Sequence, residues 1–249
     1  MSADFRCKQF RIRQDACAMK VGTDAILLGA WCSANRPRRI LDIGSGTGIL
    51  ALMTAQRFPA ADVDAVEVDP MAAQQCAENV QDSPFRDRIT VHHSSIQNYV
   101  RETSFRYDLI VCNPPWFHCS LKPPDAARSI ARHSDSLSTD DLLTCTAQLL
   151  AVDEPDGDIH HGGVVNVVLP IDQAESFLQA AELRHLWCSR RCDVRPTPTS
   201  NVRRVLLQLK RKSAVWESTR SVETLIVETA RHQYSEEFTA MAQDFLLNL

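Results

Sequence analysis

Ile40-Leu41-Asp42-Ile43-Gly44-Ser45-Gly46-Thr47-Gly48 is an apolar segment carrying one acid that runs directly into a turn with three alternating glycines. A hydrophobic strand that ends this way, followed by helix-compatible residues, places glycines at the carboxyl edge of a sheet, where open α/β folds bind their ligands. Glycines there let the backbone approach a ligand closely. A nucleotide-like cofactor is implied.

The surroundings repeat the unit. From residue 38, short β-branched segments at 39–43, 63–68, 89–93, 109–112 and 164–169 alternate with helical stretches at 47–58, 70–81, 139–151 and 173–183, the pattern of parallel βαβ units. Segments 186–194 and 202–209 read as a late antiparallel pair of strands, followed by a strand at 222–229 and a helix at 235–247. The expectation is a single α/β domain over 1–249. It comprises a Rossmann-like core at 38–249, with a seven-stranded, mostly parallel sheet and helices on both faces, and a small N-terminal module at 1–37. In that module, residues 5–19 alternate around Arg13-Gln14-Asp15 as in a short hairpin, and Thr23 or Asp24 is placed to cap the helix that begins at Ala25.

Spacing narrows the cofactor. A dinucleotide fingerprint is Gly-x-Gly-x-x-Gly, and Ile49 stands where its third glycine belongs. Asp-x-Gly-x-Gly-x-Gly, with Asp42 two residues before Gly44, suits a ligand with an α-amino group and no pyrophosphate, as S-adenosylmethionine is. The glycine run alone leaves a dinucleotide open. Glu67, at the end of the second strand, favours the first choice, because a carboxylate there can accept both ribose hydroxyls. Asp69 caps the next helix, whose first turn opens with Pro70.

After the fourth strand comes Asn113-Pro114-Pro115-Trp116. Consecutive prolines fix two φ angles and remove two donors, so the turn is rigid and leaves its carbonyls available. The Asn113 side-chain oxygen and the Pro114 carbonyl can accept the two N–H groups of an exocyclic amine, drawing its lone pair towards a methyl donor. Positioning then supplies most of the catalysis. Trp116 and Phe117 offer stacking faces for a flat base, and such stacking contributes roughly 1–3 kcal/mol.

Bulk properties set limits on this reading. At 249 residues and 44% hydrophobic composition, the chain can fill one large core. No stretch approaches the roughly 18 apolar residues of a membrane span, and the start Met1-Ser2-Ala3-Asp4-Phe5-Arg6 lacks the apolar stretch of a signal peptide, so a cytoplasmic protein is expected. Nine scattered cysteines form no Cys-x-x-Cys and read as free thiols. The pairs His92-His93 and His160-His161 have no carboxylate at metal spacing, and no structural metal is expected. The breaker-rich stretch 153–163 reads as a surface loop.

The net charge of −4 argues mildly against nucleic-acid binding, yet the distribution argues for it. Residues 1–39 hold eight Lys/Arg against three Asp/Glu, and residues 184–212 hold nine against one. If the fold brings the segments together, they form a basic binding face.

The combination resembles the amino-methyltransferases of class I, whose hallmark is Asn/Asp-Pro-Pro-aromatic and whose targets are adenine N6, cytosine N4, guanine N2 or glutamine N5. Within that group the chain is similar to the bacterial family that methylates N6 of adenine 37, immediately 3′ of the anticodon, in a valine tRNA. The similarity spans nearly the whole chain. It includes Phe10, Cys17–Asp24, Ile26–Trp31, the glycine motif, Asp64–Glu67, the Asn113–Trp116 turn, Arg204–Leu207 and Tyr234–Glu236. It implies a cofactor site for S-adenosylmethionine at Asp42, Gly44, Gly46, Gly48 and Glu67, with Thr23 from the N-terminal motif, and a catalytic turn at Asn113, Pro114, Pro115 and Trp116. Where the family carries an acid for the cofactor's adenine amine, this chain has Ser95, whose hydroxyl can accept. The implied partner is the anticodon stem-loop of tRNA, with no membrane and no obligatory protein partner. Methylation of rRNA guanine N2 or protein glutamine N5 is the alternative within enzymes, and a non-enzymatic scaffold for RNA or ribosome assembly the alternative outside them.

Overall fold

A computed structural model of the chain describes residues 4–17, 19–114, 137–152, 162–211 and 221–249. The N-terminal module holds β1 (Phe5–Arg6), β2 (Arg11–Ile12) and α1 (Thr23–Trp31). The alternating region follows as β3 (Arg39–Ile43), α2 (Ile49–Arg57), β4 (Asp62–Glu67), α3 (Pro70–Gln81), β5 (Ile89–His93), α4 (Ile96–Glu102), β6 (Leu109–Cys112), α5 (Thr139–Leu149), β7 (Val164–Pro170) and α6 (Ala174–Glu182). The chain continues through β8 (Leu186–Arg195), β9 (Arg204–Arg211), β10 (Ser221–Ile226), β11 (Glu228–Ala230), β12 (Gln233–Tyr234) and α7 (Glu236–Ala242).

The main sheet has eight strands in the order β10-β8-β9-β7-β6-β3-β4-β5. β3 to β7 are mutually parallel, β9 runs antiparallel to both β7 and β8, and β10 is parallel to β8. Strands covered on both faces are expected to be apolar throughout. β6 and β7 are buried at every position and depart from apolar sequence only at Asn166, itself fully buried. Alternation divides the core into two layers. Ile40, Val63, Leu109, Val111 and Leu206 pack with α1, α2 and α7 on one face, while Leu41, Ile43, Ile110, Val165 and Val167 pack with α5 and α6 on the other. Each such Leu or Ile withdrawn from water contributes roughly 1.5–3 kcal/mol.

The sheet order positions the site. After β3 the chain winds outward through β4 and β5, then returns to β6 on the other flank of β3. Such a reversal opens a crevice beyond the carboxyl ends of the strands on either side. Residues 44–48 leave β3 at that crevice, and Asn113 leaves β6 beside them.

Several expectations change. The sheet gains an eighth strand, because β10 pairs with the outer edge of β8 instead of standing apart, and the expected strand at 222–229 divides into β10 and β11. The N-terminal hairpin turns at residues 7–10, with Cys7 N–H donating to the Phe10 carbonyl at 2.9 Å. Arg13-Gln14-Asp15 lies instead along α3, where Asn79 accepts from Arg13 N–H at 2.9 Å and Gln75 donates to Asp15 at 2.7 Å. Gly22 occupies the cap position of α1 with no side-chain cap bond. Helix α4, which alternation did not suggest, has only seven residues. The expected loop at 153–163 lies largely outside the described residues.

Candidate active site

The three glycines after β3 all take left-handed backbone angles, φ 71° at Gly44, 53° at Gly46 and 81° at Gly48. Only glycine adopts this region freely. Their surroundings differ. A Cβ on Gly48 would lie 2.7 Å from the Cys76 sulfur, whereas one on Gly44 or Gly46 meets nothing within 4 Å. Gly48 therefore permits close packing of the turn on α3, and Gly44 and Gly46 face open space.

Two acids brace the turn. The backbone N–H groups of Gly44 and Ser45 donate to the Val66 carbonyl at 2.9 and 3.1 Å, which ties the turn to the end of β4. Glu67, buried at that end, accepts from Gly46 N–H at 2.8 Å through one oxygen and from Val68 and Asp69 N–H at 2.9 Å each through the other. With about four lone-pair sites on a carboxylate, the oxygen bonded to Gly46 keeps one for a hydroxyl. Asp42 is fully buried beneath the turn. One of its oxygens accepts from Ala51 N–H in the first turn of α2 at 3.0 Å, and the other has no partner. Burial pushes its carboxyl up to about 7, against the opposing pull of the Ala51 N–H.

A cavity of about 480 Å³ opens above this turn. Its walls bring together Thr23 and its neighbours from the N-terminal module, Gly44 and Gly46, Asn113 and Pro114, and Pro170 and Arg204. Thr23, Gly44, Gly46, Asn113 and Pro114, all named from the sequence, thus share one space. Asp42, Gly48 and Glu67 support the turn from behind. Ser95 sits beyond β5 on the Glu67 side, where Ser94 N–H donates to the Glu67 carbonyl at 3.0 Å. The Ser95 hydroxyl caps α4 by accepting from Asn98 N–H at 3.2 Å. Pro115, Trp116 and Phe117 lie outside the described residues. Among the described residues the Asn113 side chain makes no hydrogen bond, although it is only partly exposed at the cavity wall.

The cavity contains one pair that sequence reasoning missed. Asp24, in the first turn of α1, accepts from Arg204 Nε at 2.8 Å across 180 residues of chain. This contact binds the N-terminal module to the start of β9. No local pattern announces it, although both residues fall within the motifs that carry the family resemblance. Tyr234 and Ser235 have an architectural role. The Ser235 hydroxyl caps α7 through Phe238 N–H at 3.0 Å and donates to the Ile226 carbonyl at 2.5 Å, and the Tyr234 ring lies 4.9 Å from that of Phe238. Among the described residues no cluster of His, Cys, Asp or Glu is arranged to hold a metal, and no helix is long and apolar enough to cross a membrane.

Residues 18–147 match the model of the methyltransferase small domain family. A protein from Parabacteroides distasonis named tRNA1(Val) (adenine(37)-N6)-methyltransferase is 46% identical over 98% of both chains. One of the same name from Trichodesmium erythraeum is 44% identical over 98% of this chain and 97% of its own. Among solved structures, a predicted O-methyltransferase from Agrobacterium tumefaciens superposes with a TM-score of 0.65 at 17% identity, covering 89% of this chain and 96% of that one. Sheet order, glycine turn and cavity define a class I methyltransferase fold. The chain belongs to the tRNA1(Val) (adenine(37)-N6)-methyltransferase family.

Proposed function

We propose that this chain transfers a methyl group from S-adenosylmethionine to the exocyclic N6 amine of adenine 37 in the anticodon loop of tRNA(Val), in the cytoplasm. The observation that carries the reading is Asn113. It stands with Pro114 on the wall of the cavity that the glycine turn opens into, and among the described residues its side chain makes no hydrogen bond. An uncommitted amide in a half-buried wall contributes nothing to stability and disfavours a scaffold, which has no use for it.

The residues present suit the cofactor. Gly44 and Gly46 leave space for its amino-acid end, and the Glu67 oxygens are held by three N–H donors with one accepting site left for a ribose hydroxyl. The unpartnered Asp42 oxygen leaves an uncommitted polar atom beneath the turn. Thr23 borders the same space, and Ser95 stands on the side where the adenine would lie. When bound, S-adenosylmethionine supplies an electrophilic methyl group. Asn113 Oδ1 and the Pro114 carbonyl accept the two amine hydrogens, which turns the nitrogen lone pair out of conjugation and towards that methyl. Trp116 and Phe117 are assigned to stacking on the base. An adenine in an unpaired loop is inexpensive to extrude, which suits an anticodon-loop substrate.

The direct assay is methyl transfer from labelled S-adenosylmethionine to unmodified tRNA(Val) transcripts carrying either adenine or guanine at position 37. Label enters only the adenine transcript, and Asn113→Ala lowers the rate by at least about 100-fold while cofactor affinity stays within a few-fold. Normal transfer by that variant contradicts the mechanism. Label on the guanine transcript, or on a protein glutamine instead, contradicts the substrate.

A further inference from the structure

Because β6 stands between β3 and β7, the site has two flanks. The glycine turn and Glu67 occupy the β3–β4 flank, so a base that reaches Asn113 must arrive over β7, β9 and β8. At this edge of the sheet β8 ends in Arg195, and β9 begins after Arg203, whose N–H donates to the Val194 carbonyl at 2.9 Å. The turn joining β11 to β12 hangs from the same edge, with Val227 and Glu228 N–H donating to the Arg195 and Pro196 carbonyls at 2.9 Å each, and it carries Arg231.

The basic segment 184–212 divides sharply by position. Arg184, Arg190, Arg191 and Arg204 are paired with Asp140, Glu223, Asp193 and Asp24 at 2.6–2.8 Å. Lys210 and Arg211 pair in register with Trp187 and Leu186, at the opposite edge of the sheet. Arg195, Arg203 and Arg231 are exposed and have no carboxylate partner among the described residues. Exposed Lys20, on the cavity wall, is likewise unpaired. The acids at the same edge are Glu228, whose N–H holds the Pro196 carbonyl, and Asp172, next to Ile171, whose N–H donates to the Arg203 carbonyl at 3.3 Å, while Glu236 and Glu237 begin α7, which packs with α1 on one face of the sheet.

On a chain of net charge −4, these cations without a carboxylate partner, gathered on the flank from which the base must come, fit a polyanionic backbone. Phosphate contacts of this kind fix register and orientation without reading sequence. We infer that Arg195, Arg203 and Arg231, with Lys20, form the surface on which the phosphates of the anticodon stem rest while adenine 37 enters the cavity. The assignment builds on the tRNA reading and adds the docking face.

The test measures tRNA(Val) affinity from about 50 to 200 mM salt for the wild type, the triple variant Arg195→Ala/Arg203→Ala/Arg231→Ala, and Lys210→Ala at the opposite edge. Each lost phosphate contact lowers the slope of log K against log salt by about one. The triple variant should show a slope shallower by about three, an affinity at least about tenfold weaker, and a raised KM with kcat within about twofold at saturating tRNA. S-adenosylmethionine affinity and thermal unfolding should match the wild type, and Lys210→Ala should bind tRNA as the wild type does. Unchanged affinity and slope in the triple variant overturn this surface and leave the tRNA reading standing. A wild-type chain that neither binds nor methylates the tRNA overturns both.

Discussion

Gly48 and Asp42 show how single residues hold the glycine turn in shape. At Gly48 the chain has φ 81°, and a side chain would meet the Cys76 sulfur at 2.7 Å. Left-handed geometry alone costs a non-glycine residue about 1–2 kcal/mol, and the contact adds to it. Gly48→Ala should lower the free energy of unfolding in urea by about 2 kcal/mol or more; a change below half that would mean the turn relaxes at little cost. Asp42 makes stability depend on pH. Its folded carboxyl, raised by burial from 3.8 to about 7, binds a proton more tightly than the unfolded chain does. Its stabilising contribution is therefore complete below about pH 4 and is lost as pH rises through about 7. Asp42→Asn removes that dependence. The stability of the variant relative to the wild type should rise on the order of 4 kcal/mol across this window, measured by chemical unfolding at each end. A constant difference would show that Asp42 is not desolvated.

At the scale of elements, what was legible followed periodicity. Helix α3 begins with Pro70 behind an Asp69 cap, whose side chain accepts from Ala72 N–H at 2.8 Å, and both of its ends were readable. Strands β3 and β6 were equally plain, because apolar runs bounded by polar or breaker residues leave little choice. Helix α4 was not, since seven residues complete too few turns for a face to show. The N-terminal turn was misplaced because residues 13–15 are polar for another reason, hydrogen bonding to α3. Long-range polar structure was invisible. Tyr107, fully buried, donates to Asp64 at 2.9 Å and touches the Tyr99 hydroxyl at 2.5 Å, while His92 meets the other Asp64 oxygen at 2.8 Å. These partners come from three strands or their flanks and one helix, so no spacing links them. Tyr107→Phe leaves the buried Asp64 short of a donor and should cost about 1–3 kcal/mol of stability by denaturant unfolding. kcat should stay unchanged, because this network lies away from the cavity; a loss of kcat without loss of stability would contradict that placement.

For the whole molecule, the candidate site divided in the same way. Thr23, Gly44, Gly46, Asn113 and Pro114 could be named from motifs and do meet in one cavity. The Asp24–Arg204 contact that closes the N-terminal module against β9 could not. Charge counting along the chain overstates the cations open to a partner, because ion pairs neutralise several of them and others stand at the far edge. The proposed docking face is small and lies on one flank, and the glycine turn lies on the other. Methylation of a base brought to Asn113 from that flank is the central claim, and it is tested most directly by mass spectrometry of nucleosides from purified tRNA(Val) of cells with and without this protein. N6-methyladenosine at position 37 should be present with the protein, absent without it, and restored by the wild-type chain but not by Asn113→Ala. Equal N6-methyladenosine in both cells would contradict the account.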